Sequence, residues 1–309
     1  MSDAHDPRDH RMRQASRRDF LKTAAASAGA LLAAPAQATA FDFEAFFQKH
    51  FRQLSPAEIE DVLARAEKKW SEQYGKAVDV KATGPLDGVR FAYGLDISRC
   101  IGCRRCVYAC VEENNLSRDP QIHWIRVLEF ERERVTRGFD LEDGDPYYDH
   151  ETAPAPDKVY LPISCQQCED SPCTNVCPTG ATWTEPDGIV VIDYDWCIGC
   201  RYCMAACPYG ARHFNWGEPH VPADEINPDM HLLGNRPRPK GVVEKCTFCI
   251  QRTRVGRYPA CLEACPVGAR KFGNLLDPDS EIRYLLAHKR TFVLKSELGT
   301  HPKFFYFYG

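Results

Sequence analysis

The sequence predicts an α+β fold of two small modules, each built from short β-hairpins and short helices, with a helical extension before them. Sixteen cysteines occur in 309 residues, far more than an ordinary protein of this length carries. They fall into four groups between residues 91 and 275, joined by short segments with strand and turn patterns. A capped helix is predicted near residue 56, before the first group. The length allows one or two packed domains.

Residues 1–40 have the pattern of a twin-arginine export signal. The pair Arg17-Arg18 precedes a weakly apolar stretch, residues 23–34, and two small-x-small cleavage sites end at residues 38 and 40. The plain alternative is a helix that begins near Asp19. We expect the signal peptide, which places the mature protein in the periplasm. The apolar stretch is too short to span a bilayer, which takes about 20 residues.

Residues 41–90 form the predicted N-terminal helical extension, after a phenylalanine-rich start. Ser55 is a predicted N-cap, Pro56 takes the first helical position, and Gly75 marks the end of the helix. Apolar side chains recur on one helix face, at Ile59, Val62, Leu63, Ala66 and Trp70. We expect this face to pack on the protein's own core, with docking on a partner subunit as the alternative.

The cysteines form four quartets with repeated spacing. The first and third read C-x2-C-x2-C-x3-C, and the second and fourth keep the outer spacings with a longer gap in the middle. Three quartets end in Cys-Pro-x-Gly-Ala, which makes them copies of one structural unit. In chain order the quartets are Cys100, Cys103, Cys106 and Cys110; Cys165, Cys168, Cys173 and Cys177; Cys197, Cys200, Cys203 and Cys207; and Cys246, Cys249, Cys261 and Cys265.

This spacing suits a [4Fe–4S] cubane. Three cysteines in C-x2-C-x2-C form a tight loop around three corners, and Gly102 and Gly199 allow the backbone N–H groups to approach the sulfur atoms. The last cysteine lies about one helical turn further on and faces away. In the bacterial ferredoxin pattern it ligates the other cluster of a pair. We therefore predict four [4Fe–4S] clusters and assign no catalytic residue.

The distance along the chain indicates which quartets pair. Only 19 residues separate Cys177 from Cys197, about the length of one β-hairpin. The motifs at 165–177 and 197–207 therefore form one module, and those at 100–110 and 246–265 form the other. The predicted ligand sets are Cys165, Cys168, Cys173 and Cys207 for cluster A; Cys197, Cys200, Cys203 and Cys177 for cluster B; Cys100, Cys103, Cys106 and Cys265 for cluster C; and Cys246, Cys249, Cys261 and Cys110 for cluster D.

Other uses of many cysteines fit the pattern less well. Disulfides are favoured outside the cytosol, but an even cysteine count is far less specific than four copies of the ferredoxin run. Structural zinc sites use two separated C-x2-C pairs. The sequence contains no C-x-x-C-H haem-attachment motif. Aromatic and histidine side chains near the motifs are interpreted as packing residues: His123, Trp124, Trp183, Trp196 and His213.

Two segments outside the motifs complete the predicted domain organisation. Residues 131–158 are a predicted surface insertion, whose acidic residues do not match the twelve-residue EF-hand pattern. Residues 276–309 form a predicted C-terminal helix, at 281–287, and an aromatic tail, at 304–308. The tail is either a strand in the core or a contact with a partner, and the sequence leaves both open.

Charge and missing motifs exclude several functions. The formal net charge is −4 and the basic residues form no cluster, so we expect no nucleic-acid partner. The chain has neither a G-x-G-x-x-G nor a P-loop motif, and four ligands are available for each cluster. A substrate-converting site is therefore not expected, and a purely structural scaffold with stapling clusters is the remaining alternative.

The motifs from about residue 91 to 272 resemble the four-cluster iron–sulfur subunits of the complex iron–sulfur molybdoenzymes and their relatives. All sixteen cysteines match the family pattern, so the resemblance implies four [4Fe–4S] clusters with the same nested pairing. Some relatives instead hold a [3Fe–4S] cluster on the third motif. Because it also carries the export signal, the chain resembles the branch of this family found in the sulfite-reductase-associated complex and in periplasmic hydrogenases. The chain departs from the family in its longer region 41–90 and in Val111 after the first motif.

The resemblance implies an electron-transfer subunit. It would relay single electrons between a redox partner and an integral-membrane, quinone-interacting subunit of the NrfD type, and would itself be peripheral to the outer face of the cytoplasmic membrane. The redox partner would be a cytochrome c, a hydrogenase or a molybdopterin subunit. The alternative is a direct pairing with a molybdopterin enzyme or hydrogenase. The terminal donor or acceptor and the direction of electron flow do not follow from the sequence.

Overall fold

The structure is a computed structural model that describes residues 55–135 and 138–309. The predicted signal peptide and the phenylalanine-rich segment lie outside the described residues. The helices are α1 Pro56–Tyr74, α2 Arg105–Glu113, α3 Arg132–Val135, α4 Pro172–Asn175, α5 Tyr202–Ala205, α6 Ile250–Thr253, α7 Ala260–Glu263 and α8 Glu281–His288, with 3-10 turns at Ile97–Arg99 and Ser296–Leu298. The strands are β1 Asp79–Lys81, β2 Phe91–Asp96, β3 Arg126–Glu131, β4 Lys158–Ile163, β5 Thr182–Thr184, β6 Val190–Ile192, β7 His213–Phe214, β8 Asp229–His231, β9 Val243–Glu244, β10 Arg270–Asn274, β11 Thr291–Phe292 and β12 Phe304–Phe307.

Helix α1 begins at Pro56 and ends at Tyr74, as the sequence predicts. Gly75 follows with a φ of +64°, which a glycine adopts without strain. Trp70 is buried against Val78, Val80 and Met230, and Leu63 and Ala66 pack on the same cluster. The C-terminal half of the apolar face therefore packs on the protein's own core, while Ile59 at its N-terminal end stays exposed.

A four-stranded sheet in the order β10-β2-β12-β11 forms the largest sheet of the described residues. Strand β2 is antiparallel to β10, which follows the fourth motif, and parallel to β12 at the end of the chain. Tyr93 on β2 stacks on Phe304 of β12 with ring centroids 4.7 Å apart. The aromatic tail is thus a core strand, and the C-terminal segment 276–309 completes the same sheet as the first and fourth motifs.

Short helices that carry cysteines pack together in two pairs. Helix α2, with Cys106 and Cys110, contacts α7, with Cys261. Helix α4, with Cys173, contacts α5, with Cys203. Strands β5 and β6 form the hairpin that connects the second and third motifs. Small sheets and one-turn helices thus surround two groups of motifs, a mixture of helix and strand that fits the α+β class.

The predicted insertion is anchored at both ends, because Glu131 and Lys158 face each other in the antiparallel pair β3–β4. Between them the chain folds back over the first motif. The hydroxyl of Tyr148 donates to the carbonyl of Gly102 at 2.5 Å, and Arg104 donates to the carbonyl of Pro146. Much of the segment is exposed, yet this part of it covers the first cysteine loop.

No helix within residues 55–135 and 138–309 is long and apolar enough to cross a membrane.

Candidate iron–sulfur centres

All sixteen cysteines lie in the described residues, and all are free thiols. The structure brings them together in groups that join distant motifs. The predicted set for cluster C gives the plainest case, because Cys100, Cys103, Cys106 and Cys265 line one cavity together. Cys265 comes from the fourth motif and the other three come from the first. Burial raises the pKa of Cys100 to about 12, and the thiols of Cys106 and Cys265 contribute to that rise.

The last cysteine of the first motif, Cys110, lies beside thiols of the fourth motif. Burial raises the pKa of Cys110 well above its ordinary value, and the nearby thiols of Cys249, Cys246 and Cys261 raise it further. The side-chain amide of Asn114 lies within hydrogen-bonding reach of two of these thiols, 3.5 Å from Cys110 Sγ and 3.6 Å from Cys249 Sγ. The four thiols predicted for cluster D are therefore neighbours, and all four are buried.

The second and third motifs meet in the same way. Burial raises the pKa of Cys207, and the thiols of Cys165 and Cys173 in the second motif contribute to that rise. Burial likewise raises the pKa of Cys168 to about 12, with contributions from the same three thiols. The structure thus groups the thiols predicted for cluster A.

The set predicted for cluster B lies at the start of the third motif. The thiol of Cys197 is an electrostatic neighbour of Cys203. Thr179, two residues after Cys177, lies 3.7 Å from Cys177 Sγ and donates to the carbonyl of Trp196 at 3.2 Å. Burial acts to raise the pKa of Cys177, but hydrogen bonds from Thr179, Thr182 and Ala181 outweigh it and lower the pKa overall. Cys177 is thereby placed beside the loop that begins at Cys197.

Thiols of different sets are also neighbours, and these contacts follow one order. Cys106 of set C neighbours Cys261 of set D. Burial raises the pKa of Cys246 in set D to about 12, and the thiol of Cys165 in set A contributes to that rise. Cys203 of set B neighbours Cys173 of set A. The four sets therefore follow one another as C, D, A and B.

Burial supports the same order. In sets C and B, three of the four cysteines are partly exposed: Cys100, Cys103 and Cys265 in C, and Cys177, Cys197 and Cys200 in B. In set D all four are buried, and in set A only Cys207 is partly exposed. The outer sets thus reach the surface, while the two middle sets lie inside the protein.

The donor chemistry fits cubanes. Each set supplies four thiols, and the Nε and Nη1 atoms of Arg212, buried beside Cys173, have no hydrogen-bond partner within the described chain. Orphaned buried donors of this kind are rare unless a group outside the protein satisfies them. Among residues 55–135 and 138–309, no three His, Cys, Asp or Glu side chains are close enough to hold a single metal ion. This does not conflict with a cubane, in which each thiolate binds a different iron atom.

The backbone around the third motif leaves no space for a side chain. Gly199 has a φ of +68°, and a Cβ atom there would lie 2.1 Å from the carbonyl oxygen of Gly241. At Gly102, with a φ of +70°, a Cβ atom would lie 2.5 Å from the ring of Tyr160. Both glycines therefore pack closely against the protein behind the loop. The predicted approach to sulfur is seen at Gly102, whose backbone N–H hydrogen-bonds to Cys100, and it stays a prediction at Gly199.

Several residues that contact the thiols were not found by the sequence reasoning. Arg212 and Arg270 each follow a Cys-Pro-x-Gly-Ala turn and donate to the thiols of Cys173 and Cys106, at 2.9 and 3.1 Å. Extending the repeat by one residue shows the signal, because both copies continue with arginine and the copy at Cys177 continues with Thr182. Asn114 had no comparable signal.

The aromatic and histidine side chains near the motifs differ in how far they are buried. Trp124 is a buried packing residue, as predicted. Trp196 is 43% exposed, so it is not a core residue. His213 is largely buried, and this burial lowers its pKa to about 4, with Arg126 and His123 acting in the same direction.

Four sets of four thiols in two modules define the class as an iron–sulfur protein with paired clusters. A family model described as a 4Fe-4S dicluster domain matches residues 99–181 and 196–269, and a second model with the same description matches residues 156–224. The sixteen cysteines and the two dicluster domains fit four [4Fe–4S] clusters.

The chain is similar to iron–sulfur subunits from distant organisms. It is 46% identical over 220 residues, 70% of this chain and 79% of the relative, to a Halobacterium salinarum protein provisionally named as the iron-sulfur subunit of a dimethyl sulfoxide reductase. It is 40% identical over 233 residues, 72% and 73% of the two chains, to a subunit of the selenate reductase of Mesobacillus selenatarsenatis. It is 38% identical over 247 residues, 71% and 88% of the chains, to the menaquinone reductase iron-sulfur cluster-binding subunit of Nitratidesulfovibrio vulgaris. The chain belongs to this 4Fe-4S dicluster family of iron–sulfur subunits.

Proposed function

We propose that this chain is the electron-transfer subunit of a respiratory oxidoreductase complex. It would relay single electrons through four clusters, held by the ligand sets A to D in two ferredoxin-like modules. The observation that carries the proposal is the order of the thiol sets, C-D-A-B, with partly exposed sets at both ends and buried sets in the middle. When bound, [4Fe–4S] clusters accept and release one electron each without making or breaking substrate bonds.

The two exposed ends suit two different partners. At the set B end, apolar side chains stand exposed around the third motif, and we call them the apolar patch: Val176, Trp196, Ile198, Tyr202 and Trp216. Ile198 and Trp216 are each 65% exposed. Contiguous exposed apolar side chains mark contacts with another protein. We propose that the apolar patch docks on the quinone-interacting membrane subunit, because permanent subunit interfaces bury apolar side chains, whereas transient redox contacts are smaller and more polar.

The set C end has another surface. Here the insertion covers the first cysteine loop, and Arg104 lies over the ring of Tyr148 at 4.6 Å. Tyr147 is 90% exposed beside it. We propose that the soluble redox partner docks at this end. The names of the relatives support two such partners, since one belongs to a menaquinone reductase and others to reductases of selenate or dimethyl sulfoxide.

The cellular location follows from the signal pattern in residues 1–40 and is part of the same proposal. The twin-arginine route resembles a system that exports folded, cofactor-loaded proteins, and this chain would bind its clusters before export. Arg17→Lys together with Arg18→Lys should leave the loaded protein in the cytosol. Cell fractionation tests the proposed export route. Mature protein in the periplasm for the double variant as well as for the wild type would contradict it.

Anaerobic purification followed by reductive titration tests the relay. We expect about sixteen iron atoms per chain, four for each cluster, and electron paramagnetic resonance (EPR) signals of several reducible clusters. A chain that holds iron but undergoes no reversible one-electron reduction would overturn the relay and favour the scaffold.

A further inference from the structure

Eight lysine and arginine residues are buried in the described part of the chain, which is unusual for side chains of this charge. Five of them form an ion pair with a carboxylate: Arg236 with Asp195, Arg238 with Glu244, Arg252 with Glu113, Arg254 with Asp187, and Lys303 with Glu169. The other three, Arg212, Lys245 and Arg270, have no carboxylate within ion-pair distance in the described residues. Their exposed fractions are 4%, 0% and 4%.

Arg270 lies at the junction of sets C and D. Its Nη2 donates to Cys106 Sγ at 3.1 Å, and its Nη1 reaches Cys261 Sγ at 4.0 Å and the hydroxyl of Tyr93 at 3.4 Å. That hydroxyl lies 3.3 Å from Cys261 Sγ. The guanidinium is thus shared between a thiol of the first motif and a thiol of the fourth.

Arg212 lies at the junction of sets A and B. Its Nη2 donates to Cys173 Sγ at 2.9 Å and to the Thr182 hydroxyl at 3.0 Å. Cys203 of set B is a second thiol that interacts with this guanidinium. Its two remaining guanidinium nitrogens have no partner within the described chain, so they are available to a group held between these thiols.

Lys245 lies at the junction of sets D and A, where the two modules meet. Its Nζ donates to the carbonyl of Cys246 at 2.9 Å and to the carbonyl of Val190. The same Cys246 carbonyl accepts a hydrogen bond from Nε2 of Gln167 at 2.7 Å. Gln167 lies between Cys165 and Cys168 of set A, so Lys245 lies where set D meets set A.

A buried cation without a counter-charge is strongly unfavourable, because the interior does not solvate it as water does. Each of the three therefore requires negative charge that no carboxylate of residues 55–135 and 138–309 supplies at ion-pair distance. An oxidised cubane with four thiolates carries about −2 and gains one further negative charge on reduction. The positions of the three cations match the three junctions one to one.

Building on the proposed function, we propose that Arg270, Lys245 and Arg212 are the counter-ions of the electron relay, one between each pair of consecutive clusters. Each cation stabilises the added electron on both flanking clusters and thereby raises their midpoint potentials. Each also weakens the repulsion between neighbouring clusters when both are reduced. These three residues act only through their positive charge, and none of them binds iron or takes part in a reaction.

The test is an EPR-monitored redox titration of the purified, iron-loaded protein, with dithionite as reductant and ferricyanide as oxidant. Arg270→Gln, Lys245→Gln and Arg212→Gln each remove one charge. We expect two of the four reduction steps to move to lower potential in each variant while the other two stay. Because the junctions share clusters, each inner cluster should respond to two variants and each outer cluster to one.

Two kinds of control separate charge from structure. Arg270→Lys, Lys245→Arg and Arg212→Lys keep the charge and should keep the wild-type potentials. Arg283→Gln removes an exposed charge on α8 and should move none of them. Iron content is measured first for every variant. If a Gln variant loses iron while its charge-keeping partner retains it, the charge requirement is supported; if both lose iron equally, the side chain has a packing role and the inference is wrong.

Iron-loaded Gln variants whose four potentials equal those of the wild type would also overturn the inference. That result would leave the relay intact, since the wild-type clusters would still be reduced. A wild-type protein without reducible clusters would instead refute the proposed function. The two failures are therefore distinguishable in one series of titrations.

Discussion

The side-chain amide of Asn114 lies 3.6 Å from Cys249 Sγ, although the two residues are 135 positions apart. The same amide is 3.5 Å from Cys110 Sγ, one helical turn earlier. One donor thus serves a thiol of the first motif and a thiol of the fourth. This contact places Cys110 beside a thiol of the fourth motif, as the predicted exchange of last cysteines in a ferredoxin pair requires.

Replacing Cys110 tests that exchange. Cys110→Ala should remove the cluster held by the fourth motif, because that set keeps only three ligands, and the iron content should fall by about a quarter. Alkylation of the native protein followed by mass spectrometry should then label Cys246, Cys249 and Cys261. Labelling of Cys100, Cys103 and Cys106 instead would show that the first motif keeps its own last cysteine.

Gly199 and Gly180 form a matched pair for testing the cysteine loop. Both have a positive φ, +68° and +65°, so alanine costs about 1–2 kcal/mol of backbone strain at either. Only at Gly199 does the new Cβ collide, with the carbonyl of Gly241, whereas nothing lies within 4 Å at Gly180. Gly199→Ala should lose about a quarter of the iron, and Gly180→Ala should keep it. Equal iron contents would show that the close approach is not needed.

The apolar patch should control membrane association. Ile198→Asp places a charge at a proposed interface, where an unpaired charge is costly, and should release the iron-loaded protein from membranes that contain its partner. Tyr147→Asp, at the opposite end and even more exposed, is the control and should remain bound. Co-sedimentation with membranes and iron analysis of both fractions measure the effect. Retention of Ile198→Asp would place the interface elsewhere.

Acid should destabilise the protein through His231. Its Nε2 faces the carbonyl of Thr83 at 3.0 Å and its Nδ1 accepts from the Leu233 amide at 3.1 Å, an arrangement that requires the neutral ring. Burial, with Arg254 acting in the same direction, lowers its pKa to about 4 against the opposing effect of the Thr83 carbonyl. The unfolded chain, with a pKa of about 6.5, binds the proton first.

The contribution of His231 to the free energy of unfolding is therefore present above pH 6.5. It is lost between pH 6.5 and about 4, by about 1.4 kcal/mol for each pH unit. Urea unfolding of the iron-loaded protein at pH 7.5 and 5.5 should show a smaller loss in His231→Gln than in the wild type. His288→Gln, at an exposed position, should behave as the wild type does. An unchanged pH dependence in His231→Gln would contradict the account.

Local sequence signals predicted what local physics determines. Pro56 and Gly75 bound α1 because a missing N–H is harmless at a helix start and a left-handed residue suits its end. The repeated cysteine spacing predicted four [4Fe–4S] clusters, which the two dicluster domains support, because a few adjacent residues form the loop around a cubane. The division of the sixteen cysteines into sets A to D stays a prediction. These features need no knowledge of the rest of the chain.

Long-range features could not be predicted in this way. The parallel pairing of Phe304 with Tyr93 joins segments more than 200 residues apart, and no local pattern in either strand predicts which strand it pairs with. The sequence therefore does not decide whether the aromatic tail is a core strand or a contact with a partner. Lys245 is an ordinary basic residue in the sequence, and only burial without a carboxylate partner distinguishes it.

The central claim, four clusters in the order C-D-A-B with exchanged last cysteines, is tested most directly by X-ray diffraction from crystals of the iron-loaded protein at the iron absorption edge. The account predicts four separate groups of anomalous density in that order, with Cys110 Sγ on the group bound by Cys246, Cys249 and Cys261. Density in which Cys110 joins Cys100, Cys103 and Cys106, or single iron atoms in place of clusters, would contradict it.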